Sequence, residues 1–254
     1  MFFDTHAHLD DEAFDTDRAQ LLSRLRAERI RFVLDPGCDL ESSQKAAEIS
    51  EQADFVYFAA GFHPEELDKF TEEAFLQLQT LAAHPKCRAV GEIGLDYYWD
   101  DSHREEQKTL FHRQLSWARE ADLPVIVHDR EAHGDCLAIV RQYPGLRGVF
   151  HCYSGSAEMA SELLRMGWYL GFDGPITYKN AKKAIEVLRI CPAERILLET
   201  DSPYLSPVPM RGKRNDPSNL RFICQKAAEI KEMDPDEFAA LTDANGQTLF
   251  RIPN

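Results

Sequence analysis

The sequence predicts an α/β protein of the (β/α)8 class, a TIM barrel with its chemistry at the C-terminal ends of the strands. Three observations carry this. The chain has 254 residues, the usual length of one such barrel and enough for one large core. Eight short β-prone runs follow one another with helix-sized segments between them, the order that builds a parallel sheet. Histidines and carboxylates then recur where those runs end. An open doubly wound sheet is the alternative, but no glycine-rich phosphate loop follows the first run. Residues 1–254 read as a single domain.

The runs are Phe2–Thr5, Phe32–Leu34, Val56–Ala60, Ala89–Ile93, Val125–Val127, Gly148–Phe150, Trp168–Phe172 and Ile196–Glu199. Several are continuously apolar, as expected of parallel strands buried on both faces. Between them, Leu21, Leu22 and Leu25 form one helical stripe, Phe111, Leu115 and Ala118 a second, and Met159, Leu163 and Met166 a third. Near the C-terminus, Asp216-Pro217 and Asp234-Pro235 each read as an N-cap followed by proline in the first helical turn. Glu237 completes a capping-box pattern with Asp234.

Composition narrows the class. Six cysteines (Cys38, Cys87, Cys136, Cys152, Cys191, Cys224) lack CxxC spacing and read as reduced, mostly buried thiols. No apolar stretch is long enough to span a membrane. The chain enters its first strand at once, without a basic segment and apolar signal core, which points to a cytoplasmic protein. A net charge of −14 opposes long-range attraction to nucleic acid, although bound cations and a local basic segment invert the field locally.

The strand ends carry the chemistry. In an extended strand, residues i and i+2 share a face, so His6 and His8 present two imidazoles side by side, a chelating pair for a transition metal. Glu92, His128, His151 and Asp201 stand at later strand ends, and in a closed barrel all of these surround one axis. Four imidazoles and two carboxylates exceed one tetrahedral zinc. They suit two divalent ions about 3.5–4 Å apart that share a carboxylate and together activate water.

The strings Asp4-Thr5-His6-Ala7-His8, Gly61-Phe62-His63-Pro64, Gly91-Glu92-Ile93-Gly94-Leu95-Asp96-Tyr97, Pro124-Val125-Ile126-Val127-His128-Asp129-Arg130, His151-Cys152-Tyr153-Ser154-Gly155 and Glu199-Thr200-Asp201-Ser202-Pro203-Tyr204-Leu205 together resemble the TatD family of metal-dependent deoxyribonucleases. These are TIM-barrel hydrolases related to the amidohydrolases, and the match runs in order through nearly the whole chain. The resemblance implies one metal held by His6, His8, Glu92 and Asp201 and a second by Glu92, His128 and His151. Glu92 then bridges where related enzymes often use a carboxylated lysine. It also implies hydrolysis of DNA phosphodiesters by a metal-activated water, as a 3′-to-5′ exonuclease on single-stranded DNA or oligonucleotide. Two departures touch substrate contacts: Tyr153 replaces the commoner phenylalanine, and Met210 a commoner histidine before Arg211-Gly212.

Roles follow. Glu92 and Asp201 are the catalytic carboxylates, with Asp201 placed to accept the proton of the attacking water. The resemblance puts His63 near the substrate phosphate, where otherwise it would cap the turn before Pro64. Arg211 and Arg214, in the one dense basic segment, are candidate phosphate clamps, and Tyr153 is a further substrate contact. Tyr97, Tyr98 and Trp99 either stack bases or pack under their loop. Asp96 is read as orienting a ligand imidazole, and Cys152 as a core residue facing away from the ligands. His84, His103, His112 and His133 are given no role. Four imidazoles favour Zn, Mn, Fe or Ni over Mg, whereas the resemblance implies Mg, so the expected cofactor is two divalent ions, Zn, Mn or Mg. A monomer without membrane contact is expected. The rivals are hydrolysis of a small amide, ester or phosphoester, and noncatalytic binding of metal or nucleic acid.

Overall fold

A computed structural model describes residues 1–99 and 102–253. Among these, eight strands form one sheet in chain order: β1 Phe2–Asp4, β2 Ile30–Pro36, β3 Val56–Ala60, β4 Cys87–Asp96, β5 Val125–Arg130, β6 Gly148–Phe150, β7 Tyr169–Phe172 and β8 Ile196–Leu198. Every adjacent pair is parallel. The last strand returns to the first: Thr5 N donates to Leu198 O at 3.2 Å and His8 N to Ser202 O at 2.8 Å. The side chain of Asp4 reinforces this seam, its carboxylate accepting from Thr200 N at 2.9 Å and Thr200 Oγ1 at 2.6 Å. The sheet thus curls into a (β/α)8 TIM barrel, as the alternating pattern predicts.

The helices follow in order: α1 Arg18–Leu25, α2 Leu40–Gln52, α3 Glu72–Leu81, α4 Arg104–Glu120, α5 His133–Val140, α6 Ala157–Arg165, α7 Lys182–Ile190, α8 Leu220–Lys231 and α9 Pro235–Phe250. The three expected apolar stripes fall on α1, α4 and α6, and all of their residues are buried except Met166, which follows α6 and packs against the core. Asp234 caps α9, accepting from Asp236 N and Glu237 N. Asp216 caps only a short 3-10 turn, Pro217–Asn219, and α8 begins after it. Strand interiors are apolar and shut off from solvent; β3 is buried at every position, as a strand covered on both faces must be.

Three strands, β2, β4 and β5, are longer than expected. β4 runs ten residues and carries an irregularity in its register with β5 between Val90 and Ile93. Bulges of this kind re-aim a side chain. All six cysteines are free thiols. No helix among the described residues is long and apolar enough to cross a membrane.

Candidate metal centre

The six residues expected from the strand ends meet at the C-terminal mouth of the barrel. His6 lies just past β1 and is wholly buried; its carbonyl is held by the N–H of Asp201 at 2.9 Å. Glu92 sits within β4 rather than at its end, where the irregular register turns its carboxylate into the barrel, and its N–H donates to Gly37 O at 2.8 Å. His128 belongs to β5, and His151 follows β6 directly. Asp201 has φ +53°, a left-handed conformation that aspartate adopts more readily than most residues.

Glu92 divides the donors into two groups. Its Oε2 faces His6 Nε2 at 3.2 Å and His8 Nε2 at 3.6 Å, and Asp201 Oδ1 stands 3.6 and 3.5 Å from the same two nitrogens. Its Oε1 faces His128 Nδ1 at 2.9 Å and His151 Nε2 at 2.8 Å. Within each group two imidazole nitrogens approach to 3.2 Å. Two nitrogens bound tetrahedrally at about 2.0–2.1 Å sit about 3.3 Å apart. The spacing is therefore that of neighbouring ligands on one ion, and the donor set of imidazole and carboxylate suits a divalent transition metal.

Outer contacts fix the ring proton of His128 and of His63. His128 Nε2 meets Asp96 Oδ2 at 2.9 Å, which places the ring proton there and leaves the Nδ1 lone pair facing Glu92. Asp96 thus has the orienting role expected of it. His151 turns Nδ1 toward Glu199, 3.7 Å away. Buried Glu199 also accepts the Cys152 N–H at 2.5 Å. His63 behaves differently: its Nδ1 accepts from Glu65 N at 3.2 Å, so its proton sits on Nε2, 3.6 Å from Glu92 Oε1. Burial pushes its pKa down to about 3. His63 thus caps the turn before α3 and at the same time aims a neutral N–H into the site.

The electrostatics favour charge separation. Burial opposes ionisation of Glu92, yet His151, His6 and His128 hold its carboxyl well below the usual range. Burial would likewise depress His151, but Glu92 and Glu199 carry it well above its ordinary value. His8 and His128 are likewise raised against their burial, whereas burial pushes His6 down; a divalent cation displaces protons held by such rings on binding.

A cavity of about 940 Å³ opens above the cluster. The cations lining it are Lys69, Arg130 and Lys183, and Lys69 is already paired with Asp39 and Glu66. The two arginines expected as clamps do not line it. Arg214 forks onto Asp17 at 2.8 and 2.6 Å and bonds Ala13 O, so it pins the segment before α1 instead of facing substrate. Arg211 lies over the Tyr178 ring, 4.1 Å from its centroid. Tyr153 does line the cavity, but its hydroxyl donates to Ser156 O at 2.8 Å, leaving only the ring for contact.

Cys152 corrects an expectation. Alternation along a strand placed it facing the core, but β6 ends at Phe150 and Cys152 lies in the following turn with φ +42°, lining the cavity. Burial pushes its thiol well above its ordinary value, so it is a neutral wall. Cys38 was also missed: its thiol shares a cluster with His8 and Glu92. Arg130 had a signal, since it lies two residues beyond His128 on one strand. Lys183, on α7, had none. His84, His112 and His133 instead pair with Glu51, Tyr143 and Asp129, and His103 lies 4.0 Å from Glu106.

Residues 3–251 match the family described as TatD related DNase. The chain is 44% identical over 254 residues to the uncharacterized metal-dependent hydrolase YabD of Bacillus subtilis, covering 99% of this chain and 100% of that one. It is 34% identical over 259 residues to the 3′-5′ ssDNA/RNA exonuclease TatD of Cronobacter sakazakii, covering 98% and 97%. The crystal structure of YjjV, a TatD homolog from Escherichia coli K12, superposes with a TM-score of 0.93 at 32% identity, covering 99% of this chain and 98% of that one. The family match and these relatives extend over nearly the whole chain that gathers its imidazoles around one buried glutamate, and the chain belongs to the TatD-related family of metal-dependent hydrolases.

Proposed function

We propose that this protein is a two-metal phosphodiesterase that trims single-stranded DNA or oligonucleotides from the 3′ end. The observation that carries the two-metal reading is the division of donors between the two oxygens of Glu92. His6, His8, Glu92 and Asp201 would hold one ion, and Glu92, His128 and His151 the other. Divalent ions bound there supply Lewis-acid activation of water and neutralise charge on phosphate oxygens. The chain's own groups do the rest. Asp201, whose carboxyl His8 and the other imidazoles hold ionised against its burial, accepts the proton of the attacking water. His63 Nε2–H donates to a nonbridging oxygen. Arg130 and Lys183 line the cavity where a phosphate would enter. The nuclease part of the reading is supported by the exonuclease name of the Cronobacter relative.

A second reading, hydrolysis of a small phosphoester, ester or amide, is favoured by the −14 net charge and by the carboxylates Asp10, Asp11, Glu65 and Glu66 around the cavity. These disfavour a long polyanion. The decisive experiment strips the protein with chelator and restores Mg, Mn or Zn singly. A 5′-labelled single strand and a panel of small esters and amides serve as substrates, with Asp201→Asn as control. Metal-restored stepwise shortening, lost in the control, supports the nuclease. Cleavage of a small ester with the strand intact overturns it and leaves the metal centre standing.

A further inference from the structure

The loop after β4 carries three aromatic residues with different fates. Tyr97 is packed: its hydroxyl donates to Asp135 at 2.8 Å and Arg104 covers its ring. Tyr98 and Trp99 are 54% and 67% exposed. They meet edge-on at 4.8 Å, and the Arg130 guanidinium lies 4.0 Å from the Tyr98 centroid and 5.2 Å from that of Trp99. Arg130 makes no ion pair among the described residues. Large apolar rings exposed at the rim of a catalytic cavity mark a ligand surface more often than a packing element.

Position adds to this. Trp99 lines the cavity over the metal cluster and also a second cavity of about 1140 Å³. The second cavity has apolar walls from Leu67, Phe70 and Leu110, and a rim that includes Asp68, Glu105 and Glu106. Arg113 on its wall is already paired with Glu72. An apolar slot beside the cluster, with acceptors at its edge and no unpaired arginine, suits a flat, uncharged, donor-bearing group. It repels a further phosphate.

We propose that Trp99, braced by Arg130, and the apolar cavity beside it form the subsite for the terminal nucleobase of a single strand whose terminal phosphodiester lies over the metal cluster. The proposal rests on the nuclease reading and deepens it. Stacking on an indole is tolerant of base identity because every base has a π face, and the acidic rim stops the strand from continuing through. The protein is then specific for ends rather than for sequence.

Two measurements test this. The first compares a single strand ending in a normal 3′ nucleotide with one ending in an abasic nucleotide, for wild type, Trp99→Ala and Trp99→Phe. Loss of the base should lower kcat/KM about tenfold or more, the effect of one stacked base. Trp99→Ala should raise KM with little change in kcat and erase the difference between the two ends, while Trp99→Phe retains part of it. The second titrates Asp201→Asn protein with a deoxynucleoside 5′-monophosphate and with deoxyribose 5-phosphate. Trp117 and Trp168 are buried, so quenching of solvent-exposed tryptophan emission reports on Trp99. The base-bearing ligand alone should quench, and Trp99→Phe should abolish it. Equal cleavage of both ends, or quenching indifferent to the base, overturns the subsite. If no strand is cleaved by wild type, the nuclease reading fails, and the quenching alone decides the subsite.

Discussion

Asp96→Asn isolates one half of the proposed metal site. The side chain of Asp96 is held from two directions: Oδ1 accepts from Tyr98 N at 2.8 Å and Oδ2 from His128 Nε2 at 2.9 Å. Its backbone N–H and carbonyl are both bonded to the Gln107 amide at 2.9 Å, so the residue cannot shift to compensate. An asparagine here has one acceptor and one donor group where the protein offers two donors. If its oxygen serves His128, its NH2 opposes Tyr98 N–H and loosens the loop that carries Trp99. If its oxygen serves Tyr98, its NH2 forces the His128 proton onto Nδ1, the nitrogen that faces Glu92. Either way the charge-assisted bond is lost. Changes of this kind cost about 10–100-fold in metal affinity, or about 1.4–2.8 kcal/mol. The loss should fall on the ion held by Glu92, His128 and His151, and spare the one held by His6, His8 and Asp201. Competition titration against a chromophoric chelator resolves the two sites. Equal weakening of both, or a change under about twofold in each, would refute the reasoning.

Other outcomes follow from the same geometry. Removing metal should lower Tm by about 5–10 °C, since an ion at 100 times its Kd contributes about 2.7 kcal/mol and a chain of this length shifts about 2–4 °C per kcal/mol; calorimetry with and without chelator measures it, and an unchanged Tm contradicts a filled site. Gly171→Ala would place a methyl 2.5 Å from Glu199 Oε2, inside a buried cluster that cannot yield, and should cost about 1–3 kcal/mol in urea unfolding. Arg214→Ala should leave KM unchanged and cost at most about 1 kcal/mol, because its fork is spent on Asp17 at the surface; a KM raised several-fold with stability intact would show that the guanidinium reaches substrate after all.

What could be read from the chain was what local rules encode. His6 and His8 share a face because side chains repeat every two residues on an extended segment, and His128 and His151 sit where apolar runs stop. The limits of those rules explain the misses. Cys152 was assigned by alternation, which ends with β6 one residue before His151. Arg214 was assigned because it stands in the one dense basic segment, but its partner Asp17 lies 197 positions away, and no local pattern reports a pairing at that distance. Glu199 stood beside Asp201 without a role until burial placed it next to His151 and Cys152 N.

The sequence by itself determined the class of fold, the order of strands and the candidate ligands, because periodicity and residue chemistry act over a few positions. Only the tertiary structure decided how the donors divide across Glu92, which ring nitrogen each imidazole presents and which cations line the cavity. Those depend on ångström distances between strands that meet only when the barrel closes.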